Sequence, residues 1–218
     1  MELLGRDLDG QRRFYGGVLG LDARLEEGRL TVAVGTSRLT FVAPLGTDAG
    51  PLAQHFAFNI PPEQFAGAAG WLSGRSELLA GAEGESHFFS EDWNARMLYF
   101  EDADGNILEL IARQTLSGTF PDAPFGPGSL LGVSEVGVAC PDPGELAGRL
   151  ERLGLTRYRD SSADFIPLGD EEGLLIVVRE GRPWFPTAQP ARPWPLRVHT
   201  LAPALRLATT PQDIEVSA

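Results

Sequence analysis

With 218 residues, 43% hydrophobic and 22% charged, the chain can bury one large core or two moderate ones. Its formal net charge of −12 at pH 7 argues against nucleic acid or an anionic membrane surface as a partner, because both would repel it. Cys140 is the sole cysteine, so no intrachain disulfide forms, and a cytoplasmic setting is expected. The N-terminus lacks the pattern of a signal peptide, and no apolar run approaches the roughly 20 residues that span a bilayer.

In chain order, the pattern predicts a short strand at 2–4, a helix over 8–19, and a hairpin over 30–43 that turns at Gly35-Thr-Ser37. A second unit begins at His55, continues through a helix over 62–72, and ends in strands at 97–101 and 107–112. Asp102-Ala-Asp-Gly-Asn106 between those strands is rich in residues that accept turn geometry. From Ser117 to Gly132, proline and glycine interrupt regular structure and mark a boundary. The pattern then starts a third time, with strands at 134–140, 163–168 and 174–179 and a helix over 144–153. Val18-Leu-Gly-Leu21 and Arg152-Leu-Gly-Leu155 both place glycine where a left-handed helix cap is needed. A proline-rich, aromatic arm, Pro183 to Pro195, leads to strands at 196–201 and 213–216, a degenerate fourth unit at most. The division expected is 1–116 for two paired units, 117–132 for a linker, and 133–218 for the third unit with its C-terminal strands.

Strand parity locates the chemistry. Ile107, Glu109 and Ile111 share one face of their strand, and Leu108, Leu110 and Ala112 share the other. A carboxylate among such neighbours needs a cation, a metal or a wet cavity. In Gln54-His-Phe-Ala-Phe-Asn-Ile60, the large apolar Phe56, Phe58 and Ile60 face one way, and His55, Ala57 and Asn59 face the other. His55 and Glu109 could therefore meet in one hollow, where imidazole and carboxylate suit zinc, iron, manganese, cobalt or nickel.

These segments, with Tyr99-Phe-Glu-Asp-Ala-Asp-Gly-Asn106 and the earlier Asp7-Leu-Asp-Gly-Gln-Arg-Arg-Phe-Tyr-Gly-Gly-Val-Leu-Gly-Leu21, resemble the vicinal oxygen chelate superfamily of glyoxalases, bleomycin-resistance proteins and extradiol dioxygenases. The resemblance implies an α+β fold in which repeated βαβββ units pair into an open, curved-sheet barrel, with a divalent metal held by His and Glu from the strands. It also implies a small-molecule ligand, and barrels completed across a homodimer in many members. It identifies architecture better than substrate.

Aligning the units by their helix starts puts Glu135 at the place of His55, while the corresponding place in the first unit falls ahead of Met1. The counterparts of Glu109 fall near Thr40 and Leu175, neither of them a strong ligand. His87 is the nearest further candidate, though its loop position also suits an ordinary surface histidine. Glu109 can instead pair with an arginine such as Arg96, and His55 can be a hydrogen-bonded core histidine. Glu135 with His199 is set aside as a second site, because its paired ligand positions are not filled. Trp93, Asn94, Tyr99 and Asn59 are the candidate pocket residues, and no general base can be placed. Two functions stay open. One is a divalent-metal lyase, isomerase or ring-cleaving dioxygenase that chelates a small oxygen-bearing molecule; the other is a metal-free protein, resembling the bleomycin-resistance members, that sequesters an apolar or aromatic compound between Trp, Phe and Tyr side chains.

Overall fold

A computed structural model of the chain describes residues 1–44, 52–116, 118, 123–201, 204–210 and 213–217. The first unit runs β1 (Glu2–Leu4), α1 (Leu8–Arg12), β2 (Asp22–Glu26), β3 (Arg29–Val34) and β4 (Ser37–Val42). Asp7 caps α1 by accepting from the Gly10 amide at 2.8 Å. The helix predicted over 8–19 is regular only to Arg12 and continues over Arg13–Val18 as a π-helical stretch.

The second unit repeats that order as β5 (His55–Asn59), α2 (Phe65–Ser73), β6 (Phe88–Ser90), β7 (Ala95–Glu101) and β8 (Ile107–Arg113). The third runs β9 (Gly132–Cys140), α3 (Pro143–Arg152), β10 (Phe165–Asp170) and β11 (Gly173–Arg179), one strand short of its predecessors. The chain ends in a meander of β12 (Leu196–Leu201), β13 (Ala204–Thr209) and β14 (Ile214–Ser217). The sequence reading missed β2, β6 and β13. Strand β2 buries no residue fully, and β6 has only three residues, so neither carries an apolar face long enough to be read.

Two curled sheets of seven strands result, ordered β14-β13-β12-β1-β4-β3-β2 and β10-β11-β9-β5-β8-β7-β6. In each, the first strand of a unit lies parallel to its last, as β1 does to β4, β5 to β8 and β9 to β11. The units join through their first strands, antiparallel, β1 to β12 and β5 to β9. The 117–132 stretch, of which 117 and 119–122 lie outside the described residues, thus leads from β8 to β9 within one sheet. Repeated strand-helix-strand units are what the pattern along the chain predicts, and the α+β fold they build is what the resemblance implies.

The main core fills the space between the sheets. Phe56, Phe58, Leu108 and Leu110 of the second sheet share one buried cluster with Leu30, Val32 and Phe41 of the first and with Leu146 and Leu150 of α3. Each such side chain contributes about 1.5–3 kcal/mol by leaving water. The turn over 102–106 joins the first unit to the second. Buried Asp102 accepts from Gln11 Nε2 at 2.9 Å, the Tyr15 hydroxyl at 3.0 Å and the Asn106 amide at 3.0 Å. Asp104 accepts from the Arg6 and Asp7 amides at 2.8 and 3.1 Å. The acidic turn is therefore a structural clasp; Gly105, at φ +77°, supplies its left-handed position. Among the described residues no helix is long and apolar enough to cross a membrane.

Candidate metal centre

Apolar Phe56, Phe58, Leu108 and Leu110 press one face of the second sheet into the core, and strand alternation sends the intervening side chains to the other, concave face. On that face Ala57 stands opposite Glu109 of β8 on one side and opposite Glu135 of β9 on the other, with His55 two residues earlier on β5. Three neighbouring strands thus bring one imidazole and two carboxylates together. Their ligand atoms all lie within 4.8 Å of one another, and all three residues are buried.

The imidazole is poised as a neutral donor. Its Nδ1 lies 3.1 Å from the Ile107 carbonyl, which fixes the hydrogen there and leaves the Nε2 lone pair facing Glu109 Oε2 at 3.6 Å. Burial lowers the pKa of His55 to about 4, so the ring carries no charge near neutral pH. Burial, followed by the charge of Glu135, holds the Glu109 carboxyl well above the usual range; Arg113 and the Tyr99 hydroxyl pull the other way. Burial also raises Glu135, against the pull of Arg113.

Arg113, fully buried at the end of β8, is the cation that pairs with the cluster among the described residues, while the charge of Arg182 acts on His55. Its guanidinium forms an ion pair with Glu135 and donates to Asn59 Oδ1 and, at 3.3 Å, to Ser134 Oγ. A bulge explains how adjacent residues of β9 both reach it. The ladder to β5 slips between Ala57 and Phe58, and Ser134, the residue left out of the pairing, is turned toward the same guanidinium as Glu135. Ionising both carboxyls against one guanidinium would leave the cluster one negative charge in excess, and the raised Glu109 and Glu135 carboxyls reflect that cost.

The donor set fits a divalent ion. Two ligand atoms about 2.1 Å from one ion stand about 3–3.5 Å apart, close to the His55 to Glu109 separation. Because β9 and β11 repeat the parallel pairing of β5 and β8, Gly137 faces Ile176 as Ala57 faces Glu109. Ile176 therefore occupies the fourth symmetric position and brings no donor, which leaves that side of the cluster to a ligand. A cavity of about 180 Å³ opens there, walled by Trp93, Met97, Tyr99, Phe165, Ile176 and Trp184. Trp184 packs on the imidazole at 5.2 Å between ring centres, so the arm predicted over 183–195 begins across the cavity mouth.

No protein-family model matches the sequence, and no curated protein matches it. Among solved structures, a candidate dioxygenase from Bacillus subtilis subsp. subtilis str. 168 aligns over 81% of this chain with a TM-score of 0.57 at 19% identity. The fold is that of the vicinal oxygen chelate proteins. The chain spans 62% of the length of that structure. Shorter alignments join it to a glyoxalase/bleomycin resistance protein/dioxygenase from Nocardioides, with a TM-score of 0.44, 19% identity, 56% of this chain and 87% of that one. Another joins it to the fosfomycin resistance protein FosX from Mesorhizobium loti, with a TM-score of 0.39, 20% identity, 53% of this chain and 90% of that one.

Within this vicinal oxygen chelate fold the residues singled out by sequence fall into two groups. His55 and Glu109 converge, and Trp93 and Tyr99 line the cavity. Asn59 instead holds Arg113 and donates to the Glu171 carbonyl at 2.7 Å, and Asn94 sits in a left-handed turn at φ +44° away from the cavity. His87 is exposed and packs edge-on to Phe65, outside the cluster. Arg96 lies over the Phe65 ring rather than beside Glu109, and the arginine at the cluster is Arg113. Glu135 belongs with His55 and Glu109, while His199 stands opposite Arg206 in the other sheet. Glu135 was signalled by its alignment with His55, and Arg113 by its parity with Glu109 and Ile111.

Proposed function

We propose that the protein binds one divalent cation through His55 Nε2 and one carboxylate oxygen each from Glu109 and Glu135, and that the cation holds a small molecule bearing two adjacent oxygens in the cavity. The observation that carries this reading is the convergence of a neutral imidazole and two carboxyls, buried with ligand atoms within 4.8 Å of one another beside a single paired guanidinium, where ionising both carboxyls is costly without a further cation. The donor set suits zinc, iron, manganese, cobalt or nickel alike. A bound ion would supply Lewis-acid activation of the chelated oxygens, the chemistry of a lyase, isomerase or ring-cleaving dioxygenase. The chain's own residues prepare the place. The Ile107 carbonyl sets the tautomer of His55, Arg113 orients Glu135, and the Tyr99 hydroxyl bonds Glu109. Trp93, Phe165 and Trp184 restrict water and face an apolar or aromatic body. At about 180 Å³ the cavity lies below the roughly 300 Å³ at which pockets accept drug-sized ligands, which supports a small substrate.

Metal content of the purified protein after zinc, manganese or iron loading and desalting tests this reading. About one ion per chain, lost in both His55→Ala and Glu109→Ala, is the expected result; no retained ion overturns it. A second reading, metal-free sequestration, is favoured by one observation: Glu135 is already satisfied by Arg113. Ligand binding that survives both substitutions would choose it. A homodimer is supported by β2 and β14, sheet edges without a partner strand among the described residues, and is read from the mass in solution.

A further inference from the structure

The cavity has one cationic side chain among its lining residues, Arg182, at the opening of the arm. Its backbone is pinned on both sides. The Arg182 carbonyl accepts from the Ala191 amide at 2.8 Å, and the preceding Gly181 amide donates to the Ala191 carbonyl at 2.8 Å. The side chain lies half-buried over the Phe165 ring at 4.8 Å and donates once, at 3.3 Å, to the Pro183 carbonyl. Among the described residues it forms no ion pair. Asp164, the carboxylate whose charge acts on it, is bound by Arg179. A guanidinium presents five donors in a planar fork suited to a carboxylate, and most of these are unused here. Stacking on Phe165 explains where the group lies but satisfies none of its N–H groups.

The charge of the His55, Glu109 and Glu135 cluster, which lines the same cavity, points the same way. With a divalent ion on His55 and on ionised Glu109 and Glu135, and Arg113 behind them, the cluster would carry one positive charge in excess. Both Arg182 and the cluster would then favour an anion in an otherwise largely aromatic cavity.

We infer that the ligand is an acid, its anionic group paired with Arg182 while its two adjacent oxygens face the His55, Glu109 and Glu135 cluster. This rests on the metal reading above and adds the class of molecule. The aromatic side chains that line the cavity suit a flat, conjugated body.

The test compares 3,4-dihydroxybenzoate with 3,4-dihydroxybenzamide, which keeps both hydroxyls and the ring but carries no charge. Dissociation constants are read by quenching of tryptophan fluorescence in zinc-loaded wild type, Arg182→Gln and Arg182→Lys, each with its zinc content measured. The acid should bind the wild type about tenfold more tightly than the amide, the scale expected of one partly desolvated ion pair. That preference should vanish in Arg182→Gln with the amide's affinity unchanged, and should return in part in Arg182→Lys. Equal binding of the two compounds by the wild type, or a preference that survives Arg182→Gln, overturns the inference. If the protein retains no zinc, the metal reading fails by that measurement alone, and the same comparison with 2-naphthoate and 2-naphthamide decides the role of Arg182.

Discussion

The two sheets are built alike and differ in what they do with charge. Around β1 and β12, on the face turned away from the core, Glu2 stands opposite Thr40 and Arg197 and forms ion pairs with Arg29 and Arg197, whose side chains are 53% and 66% exposed. Around β5 and β9, the corresponding face closes over His55, Glu109, Glu135 and Arg113, all buried. One sheet has more cations than its carboxylate needs and leaves them in water; the other has fewer and removes them from it. Topology alone therefore does not make a site. What sets the second sheet apart is the burial of two carboxyls beside one guanidinium, where ionising both is costly without a further cation.

The contrast can be broken most sharply at its arginines. Arg113→Met should destabilise the protein by about 3–5 kcal/mol, because it strands Glu135 and Asn59 in the interior, whereas Arg197→Met on the first sheet should cost about 1 kcal/mol or less. Denaturant unfolding of the two metal-free variants beside the wild type reads the difference, and equal losses would contradict it. Gly137→Ala comes next. A Cβ there would stand 2.6 Å from the Trp184 ring and 3.2 Å from the His55 carbonyl, so a loss of about 1–3 kcal/mol and a red-shifted tryptophan emission are expected.

Ile176→Glu restores the fourth symmetric donor and should raise zinc affinity at least about tenfold, measured by competition with a chelator, while lowering the stability of the metal-free form. The smallest effect is that of pH. Protons compete with the metal mainly at Glu109 and Glu135, whose carboxyls burial raises, and at His55 only near pH 4. Affinity should therefore fall as pH drops below neutrality, with proton release on binding seen by calorimetry in buffers of different ionisation enthalpy. An affinity that is flat from pH 7 to 5 would show that the carboxylates do not bind the ion.

Much of this was legible from residue order. Parity alone put His55 and Glu109 on the concave face, because alternating Phe56, Phe58, Leu108 and Leu110 can be buried on one side only. The helix-start alignment also matched Glu135 to His55. What could not be read was that β9 pairs directly with β5, because that contact crosses a proline- and glycine-rich stretch and depends on which units share a sheet. The bulge at Ser134 has no local signature, so the joint reach of Ser134 and Glu135 to Arg113 appears only in three dimensions. Asn59 had the right parity and was offered as a pocket residue. The guanidinium that occupies it comes from a residue not considered as part of the site.

The central claim is that one ion sits among three particular side chains, and anomalous diffraction at the zinc absorption edge from zinc-loaded crystals tests it most directly. The expected result is a single peak about 2.0–2.2 Å from His55 Nε2 and from one oxygen each of Glu109 and Glu135. Zinc-loaded crystals with no anomalous density between these residues would contradict it.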